Sequence, residues 1–293
     1  MELRGLLGVL AVLAAGACVD GARELPSAAI VDQPAESEEP PLPELDPEPE
    51  PAPVTSCSVR ETLQIGEGEE AGEISVLDDG SVLFSAGMAI DADGSPRAYH
   101  PRSSVGLDYL ANAGRPGHWW ALVVDPDGAP VVQGEGDPAP GYYVSMTALE
   151  DRGKAETDPR RYVDAERIPY VVLPAKARTE IGIWLGDLAL VVDPESGEQA
   201  FALFADIGPN GHLGEGSIAL AKALGIPSNP RRGGTDRKLT WLVWPGTGDH
   251  HPHDDAWIKE QGRAAFEAWG GQARLERCQL GSSSNPPDSP STN

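Results

Sequence analysis

Asp206 and Glu215 lie nine positions apart in FADIGPNGHLGEGSIALAKALGI, the segment from Phe204 to Ile226. A short apolar run ends on Asp206, a glycine-rich turn follows, and Glu215 stands at its far side before a run of small residues. Two carboxylates held on a rigid scaffold are the working parts of glycoside hydrolysis. One protonates the leaving oxygen, and the other activates water or attacks the anomeric carbon. The apolar strand fixes the direction of Asp206, and the glycines around Glu215 let backbone approach a ligand closely. Burial beside Phe204 and Ile207 would raise a carboxyl pKa toward general-acid range. The same residues also read as plain architecture, with Asp206 capping a turn and Glu215 near the N-terminus of the next helix.

The elements that must hold these acids are mostly strands. WWALVVDPDGAPVVQ reads as a hairpin turning at Pro126-Asp127-Gly128, and LALVVDPESGEQAFALFAD as a second one turning near Pro194–Gly197. GYYVSMTAL, IPYVVLPA and LTWLVWPG are further strand candidates, rich in β-branched and aromatic residues. Two helices are expected, one from Ser217 to Leu224 ended by Gly225, the other over about Asp254 to Trp269. The seven tryptophans are assigned mainly to the core, and GEGDPAPG, residues 134–141, to a loop that could wall a cleft. The class is mainly β, a closed six-stranded barrel with added strands and a few helices.

The ends of the chain read differently. Arg4 precedes an apolar stretch from Gly5 to Ala17, too short to span a bilayer but of signal-peptide length. Ala15-Gly16-Ala17 before Cys18 resembles a bacterial lipobox, so residues 1–18 are expected to direct export, with Cys18 as the lipidation site. Residues 19–56 form a Pro- and Glu-rich linker with too little apolar surface to offset the entropy of ordering. Residues 279–293 are expected to be a disordered tail, which leaves 57–278 as the folded domain. The two remaining cysteines, Cys57 and Cys278, mark its ends, and in an oxidising compartment a bridge would staple them. The net charge is −24, of which residues 1–56 carry −9, so the folded part is itself acidic. That argues against a nucleic-acid partner and suits a cationic one.

Several stretches together resemble the chitosanases of glycoside hydrolase family 75. They are GMAIDADGSPRAYHP, GLDYLANAG, IPYVVLP, GIWLGDLALVV, FADIGPNGHLGEGSIALAKALGI and LVWPGTG, in the family's order over about residues 84–248. The resemblance implies that Asp206 and Glu215 are the catalytic pair. It also implies an inverting endo-hydrolysis of β-1,4-linked glucosamine polymers, with carboxyl groups about 6.5–9.5 Å apart. Fungal members carry a cysteine inside the D-x-D stretch, whereas this chain has Asp91-Ala92-Asp93-Gly94. The strand order also resembles double-psi barrels, an architecture shared by lytic transglycosylases and expansin-like proteins. Two other readings therefore stand beside chitosan cleavage: action on peptidoglycan by a hydrolase or transglycosylase, and a non-catalytic carbohydrate-binding lipoprotein.

Around the catalytic pair, Asp91 and Asp93 are expected to bind glucosamine ammonium groups, with a D-x-D-G turn as the alternative. An EF-hand loop is excluded, because Arg102 stands where that loop needs its closing Glu. Tyr99, His100 and Tyr170 are candidate sugar contacts, or else ordinary packing. Ser217 joins the substrate-binding set, as does Asp187, which could instead end a turn before its strand. His250, His251, His253, Asp254 and Asp255 have metal-ligand chemistry, but Pro252 breaks helical spacing across them, and no metal site is expected. No G-x-S-x-G elbow, P-loop or paired CxxC motif occurs, so cofactor-free hydrolysis is expected. The expected molecule is a monomer acting on chitosan, touching a membrane only through a lipid at Cys18.

Overall fold

The computed structural model describes residues 56–67 and 72–282. The signal peptide, Cys18, the linker up to residue 55 and the tail beyond residue 282 lie outside the described residues.

The strands in chain order are β1 (Val59–Ile65), β2 (Gly72–Leu77), β3 (Val82–Asp91), the short pair β4 (Gly114–Arg115) and β5 (His118–Trp119), β6 (Tyr170–Pro174), β7 (Leu188–Val192), β8 (Gln199–Gly208), β9 (Glu215–Ser217) and β10 (Thr235–Trp244). The helices are α1 (Ala175–Ile181), α2 (Ile218–Ala223), α3 (Asp255–Trp269) and α4 (Gly271–Ser282). The main sheet runs β1-β2-β3-β10-β7-β8-β6-β9, and β9 pairs back onto β3. That last pairing closes six strands, β3, β10, β7, β8, β6 and β9, into a barrel, with β1 and β2 outside it. The β3–β9 and β6–β8 pairs are parallel, and the other barrel pairs are antiparallel. The fold is thus the mainly β barrel that the sequence predicts.

Strand period 2 divides the apolar residues between two cores. On β10, Leu239, Trp241 and Val243 join the main core, while Leu242 and Trp244 face the other side. On β3, Val82, Phe84, Ala86, Met88 and Ile90 all point into the main core. The second core is covered by α3 and α4, whose Phe266, Trp269, Leu275 and Cys278 pack on Leu77, Leu83 and Leu190. The Cys57–Cys278 disulfide is formed there, across a sequence separation of 221. It fits an extracellular or cell-envelope location. Among the described residues, no helix is long and apolar enough to cross a membrane.

α2 begins where predicted: the Ser217 side chain caps it by accepting from the Leu220 N–H. α3 is capped by Asp254 in the same way and ends at Gly270, in the left-handed region. Helices α1 and α4 were not expected. α1 follows Pro174 directly, and α4 runs through Ser282, so residues 279–282 are helical rather than tail. The hairpin predicted in WWALVVDPDGAPVVQ forms, with the Asp125 N–H on the Ala129 carbonyl and the Val131 N–H on the Val123 carbonyl, both at 2.9 Å, but it and GYYVSMTAL are not regular strands. They do not enter the barrel but meet in isolated bridges, Leu122 with Ser145, Val124 with Pro130 and Val132 with Tyr143. Pro126 and Pro130 lack the N–H groups a continuous ladder needs. The whole stretch between β3 and β6 is an excursion with little regular structure, of the kind that builds binding walls.

Candidate functional site: an acid-lined cleft

One row of side chains across four strands forms the floor. Glu215 on β9 pairs with Ala89 on β3 and with Val172 on β6, and Val172 pairs on its other side with Asp206 on β8. All four residues line a single cleft of about 530 Å³. Residues directly opposed across strands share a face, so the two acids stand together with small apolar side chains between and beside them.

Asp206 reaches this face only through an irregularity. In the β6–β8 pairing Phe204 opposes Val171, but the next pair is Asp206 with Val172, so Ala205 is bulged out. Strict alternation would carry Asp206 to the side of Ala202 and Phe204, the barrel core. The bulge re-aims it into the cleft. On the other arm, Gly214 has φ 86°, and its carbonyl accepts the Ala89 N–H at 2.8 Å. A Cβ at Gly214 would lie 2.3 Å from the Gly87 carbonyl oxygen, so only glycine lets β9 dock on β3 and present Glu215.

Three more carboxylates, Asp91, Asp93 and Asp108, line the same cleft. Asp91 accepts the Asp93 N–H at 2.8 Å and the Tyr170 hydroxyl at 3.0 Å. Asp93 accepts the Tyr99 hydroxyl at 2.6 Å. Asp108 accepts the Tyr109 N–H at 2.7 Å and the Asn112 side-chain amide at 2.8 Å. Asp206 Oδ1 accepts two backbone N–H groups, from Ala148 at 2.8 Å and Ile207 at 2.9 Å. Oxygens of Asp91, Asp93 and Asp206 lie within 4.8 Å of one another, close enough for the three to share one cation.

The electrostatics follow from burying like charges together. Burial, then the charges of Asp91 and Asp108, push Glu215 up to about 8. Burial and the Asp91 charge hold Asp206 well above the usual carboxylate range, while its two N–H donors oppose the rise. Burial raises Asp91 to about 6 against the hydrogen bonds from Asp93 and Tyr170. Asp93 is held well above the ordinary range by burial and then by Asp91 and Asp206. Two cations stand in the lining, Arg231 and Arg232, and Arg231 is already committed. Its guanidinium donates to the carbonyls of Ser103, Gly106, Leu107 and Asp108 and lies 4.6 Å from the Tyr109 ring. It ties the 103–109 loop down.

The sequence-predicted set divides. Asp91, Asp93, Tyr99, Asp206 and Glu215 all line the cleft. Tyr99 is 2% exposed, so it offers its hydroxyl to Asp93 and not a ring face to a sugar. Tyr170 is buried behind the acids, its hydroxyl shared between Asp91 and the Asp93 carbonyl. His100 lies outside the lining, edge-on to Tyr142, with Nδ1 accepting the Arg102 N–H. Asp187 is also away from the cleft. It is buried and accepts the N–H groups of Trp184 and Gly248, ending the turn before β7. Ser217 is fully committed as a cap: it accepts from Leu220 and Tyr170 and donates to the Ile168 carbonyl. The stretch 134–141 does not wall the cleft. That role falls to Asp108, Asn112 and Trp120 on one side and to residues 230–233 on the other.

Asp108 and Trp120 are the functional candidates that sequence reasoning missed. Asp108 lies within GLDYLANAG, so the motif already contained it. Trp120 was assigned to the core, yet it is 55% exposed, with its indole N–H fixed to the Asn112 carbonyl at 2.8 Å. The histidine-rich stretch is not gathered round one point: His253 stacks on Trp257 and pairs with Asp249, while His250 reaches the Leu185 carbonyl. Comparison of the chain with protein-family models and with curated proteins gives no match.

Proposed function

We propose that the chain is a chitosanase, an endo-acting glycoside hydrolase that cleaves β-1,4-linked glucosamine polymers with inversion. The observation that carries this reading is the row Asp206–Val172–Glu215 on the floor of a cleft lined by five carboxylates. Two strand spacings separate the Asp206 and Glu215 backbones by about 9–10 Å. Inversion requires room between the two carboxyl groups for the anomeric centre and a water, and this backbone spacing supports that reading.

Glu215, pushed up to about 8, holds a proton at neutral pH and serves as the general acid on the glycosidic oxygen. Asp206, whose Oδ1 is held by two N–H donors, serves as the base. A water hydrogen-bonded to Asp206 attacks the anomeric carbon from the face opposite the leaving oxygen. Its proton passes to Asp206 while Glu215 protonates the departing hydroxyl. A glucosamine ammonium beside Asp91 and Asp93 supplies a positive charge close to the acids and favours ionised Asp206 once substrate is bound. Trp120, fixed and exposed at the rim, offers a ring face to pyranose C–H groups.

The disulfide and the leader-like N-terminus support export, with Cys18 as a lipid anchor and the acidic linker as a tether. The test is incubation of the oxidised protein with soluble, highly deacetylated chitosan, following viscosity and reducing ends together. A fast viscosity drop with few new ends is expected, and the first product should carry the α-anomer. An unchanged solution with folded protein overturns the reading. Dye release from labelled sacculi would then point to peptidoglycan.

A further inference from the structure

A second hollow of about 510 Å³ is lined by residues 148–150, Arg152, Arg178, Trp184 and the 249–251 loop. Ala148 and Leu149 form part of its wall. Ala148 is also the residue whose N–H donates to Asp206, and the Leu149 N–H donates to the Ala205 carbonyl at 2.8 Å. The Ala148 hydrogen bond therefore links the wall of one hollow to a carboxylate lining the other. A polymer cut internally has to lie on both sides of the cleaved bond, and this hollow is where a longer chain would continue.

Its lining is mixed in charge, with Glu150 and Asp249 against Arg152 and Arg178. Glu150 is paired with Arg161 at 2.7 Å and Arg152 at 3.3 Å, and Asp249 with His253 at 2.9 Å. Among the described residues, no carboxylate lies within ion-pair distance of Arg178, whose guanidinium sits 5.0 Å from the Trp184 ring centre. Trp184 is 46% exposed and has His250 edge-on to it. His250 is held in the left-handed region at φ 65°, with Nδ1 3.0 Å from the Leu185 carbonyl. The result is a fixed aromatic surface beside a guanidinium with unused donors. An ammonium-bearing sugar finds both carboxylates of this lining already paired. An N-acetylated sugar is neutral, and its amide carbonyl accepts from Arg178.

Resting on the chitosan reading above, we propose that this hollow is a distal subsite of the same groove, selective for an N-acetylated glucosamine unit. Arg178 donates to the acetamido carbonyl, and Trp184 carries the ring. The enzyme would thus take charged units at the acids and an acetylated one away from the cleaved bond.

The experiment is digestion of partially acetylated chitosan by the full-length oxidised protein, with the products sequenced by mass spectrometry. Acetylated units should be enriched at one fixed distance from the newly formed ends. Arg178→Glu should erase that enrichment. It should also lower the ratio of rates on partially acetylated over fully deacetylated chitosan by at least about fivefold, the loss of one charge-assisted hydrogen bond. Trp184→Ala should act in the same direction, and Trp184→Phe should keep most of the bias. Arg178→Gln, shorter and uncharged, covers the case in which the reversal fails to fold. Random acetyl placement by the wild type, or a bias that both Arg178 variants keep, overturns the subsite and leaves the chitosan reading standing. Failure of the wild type on both polymers removes the two together.

Discussion

Asp206 and Glu215 are both register partners of Val172, one from each flank of β6. Nine residues of chain become two strand spacings of space. Both side chains are positioned by backbone pairing, and so neither depends on the other for its place. Asp206→Asn and Glu215→Gln should each lower kcat by about 10²–10⁴-fold, the usual weight of one acid or base. Circular dichroism and thermal melting should show both variants folded. A variant with a near-wild-type rate removes that residue from the mechanism.

The alkaline limb of kcat/KM should report Glu215, because that profile follows the free enzyme's essential acid. With Glu215 pushed up to about 8, the rate should fall as the pH rises through that value. Asp91 is the largest charge contribution to the rise, after burial. Raised to about 6 itself, it is ionised where Glu215 titrates. Asp91→Asn should therefore move the alkaline limb to lower pH. The amide can still accept from Tyr170, so the wall survives the change. A limb that stays in place in Asp91→Asn would separate Glu215 from the alkaline titration.

Stability should show the same group with its sign reversed from the usual carboxylate. An ordinary Glu titrates near 4.5 in the unfolded chain, while Glu215 keeps its proton up to about 8 in the folded one. Between those values the folded state binds more protons, so stability falls as pH rises across the window. Below pH 4.5 both states are protonated and nothing is lost. Glu215→Gln has no charge to bury. Its Tm should match the wild type at pH 4 and exceed it by about 3–10 °C at pH 8, equivalent to about 1–3 kcal/mol. Parallel Tm curves for the two proteins from pH 4 to 8 would contradict a buried, protonated Glu215.

Much of this was legible in the chain, for identifiable reasons. The apolar periodicity of 188–206 and 239–246 specifies barrel strands, and Ser217, Asp254 and Gly270 carry helix-end chemistry that reads directly from residue type. The acids Asp206, Glu215, Asp91 and Asp93 stood in motifs, and they meet in the cleft. What the sequence hid depends on pairing. The bulge at Ala205 decides which face Asp206 takes, and nothing in FALFAD announces it. Ser217 and Asp187 carry polar groups suited to a site, yet their partners are the backbone of remote segments: Tyr170 and Ile168 for one, Gly248 for the other. Trp120 and Trp184 looked like core residues because apolar character alone does not say which side of a loop faces solvent.

The disulfide should matter to stability and not to chemistry. Cys57 and Cys278 join the start of β1 to α4, whereas the acid row lies on β3, β6, β8 and β9. Closing a loop of 221 residues removes conformational freedom from the unfolded chain, about 5 kcal/mol by chain entropy. Arg274 bears on the same corner: it donates to the Ser56 carbonyl, pairs with Asp79 at 2.6 Å and stacks on Trp269. Those contacts should keep the ends docked without the bridge. The Cys57→Ala/Cys278→Ala double variant should therefore melt about 5–15 °C lower while keeping wild-type kcat at 25 °C. An unchanged Tm would mean that Arg274 alone holds the corner. Lost activity at a temperature where the variant is still folded would mean that loosening this corner reaches the acid row.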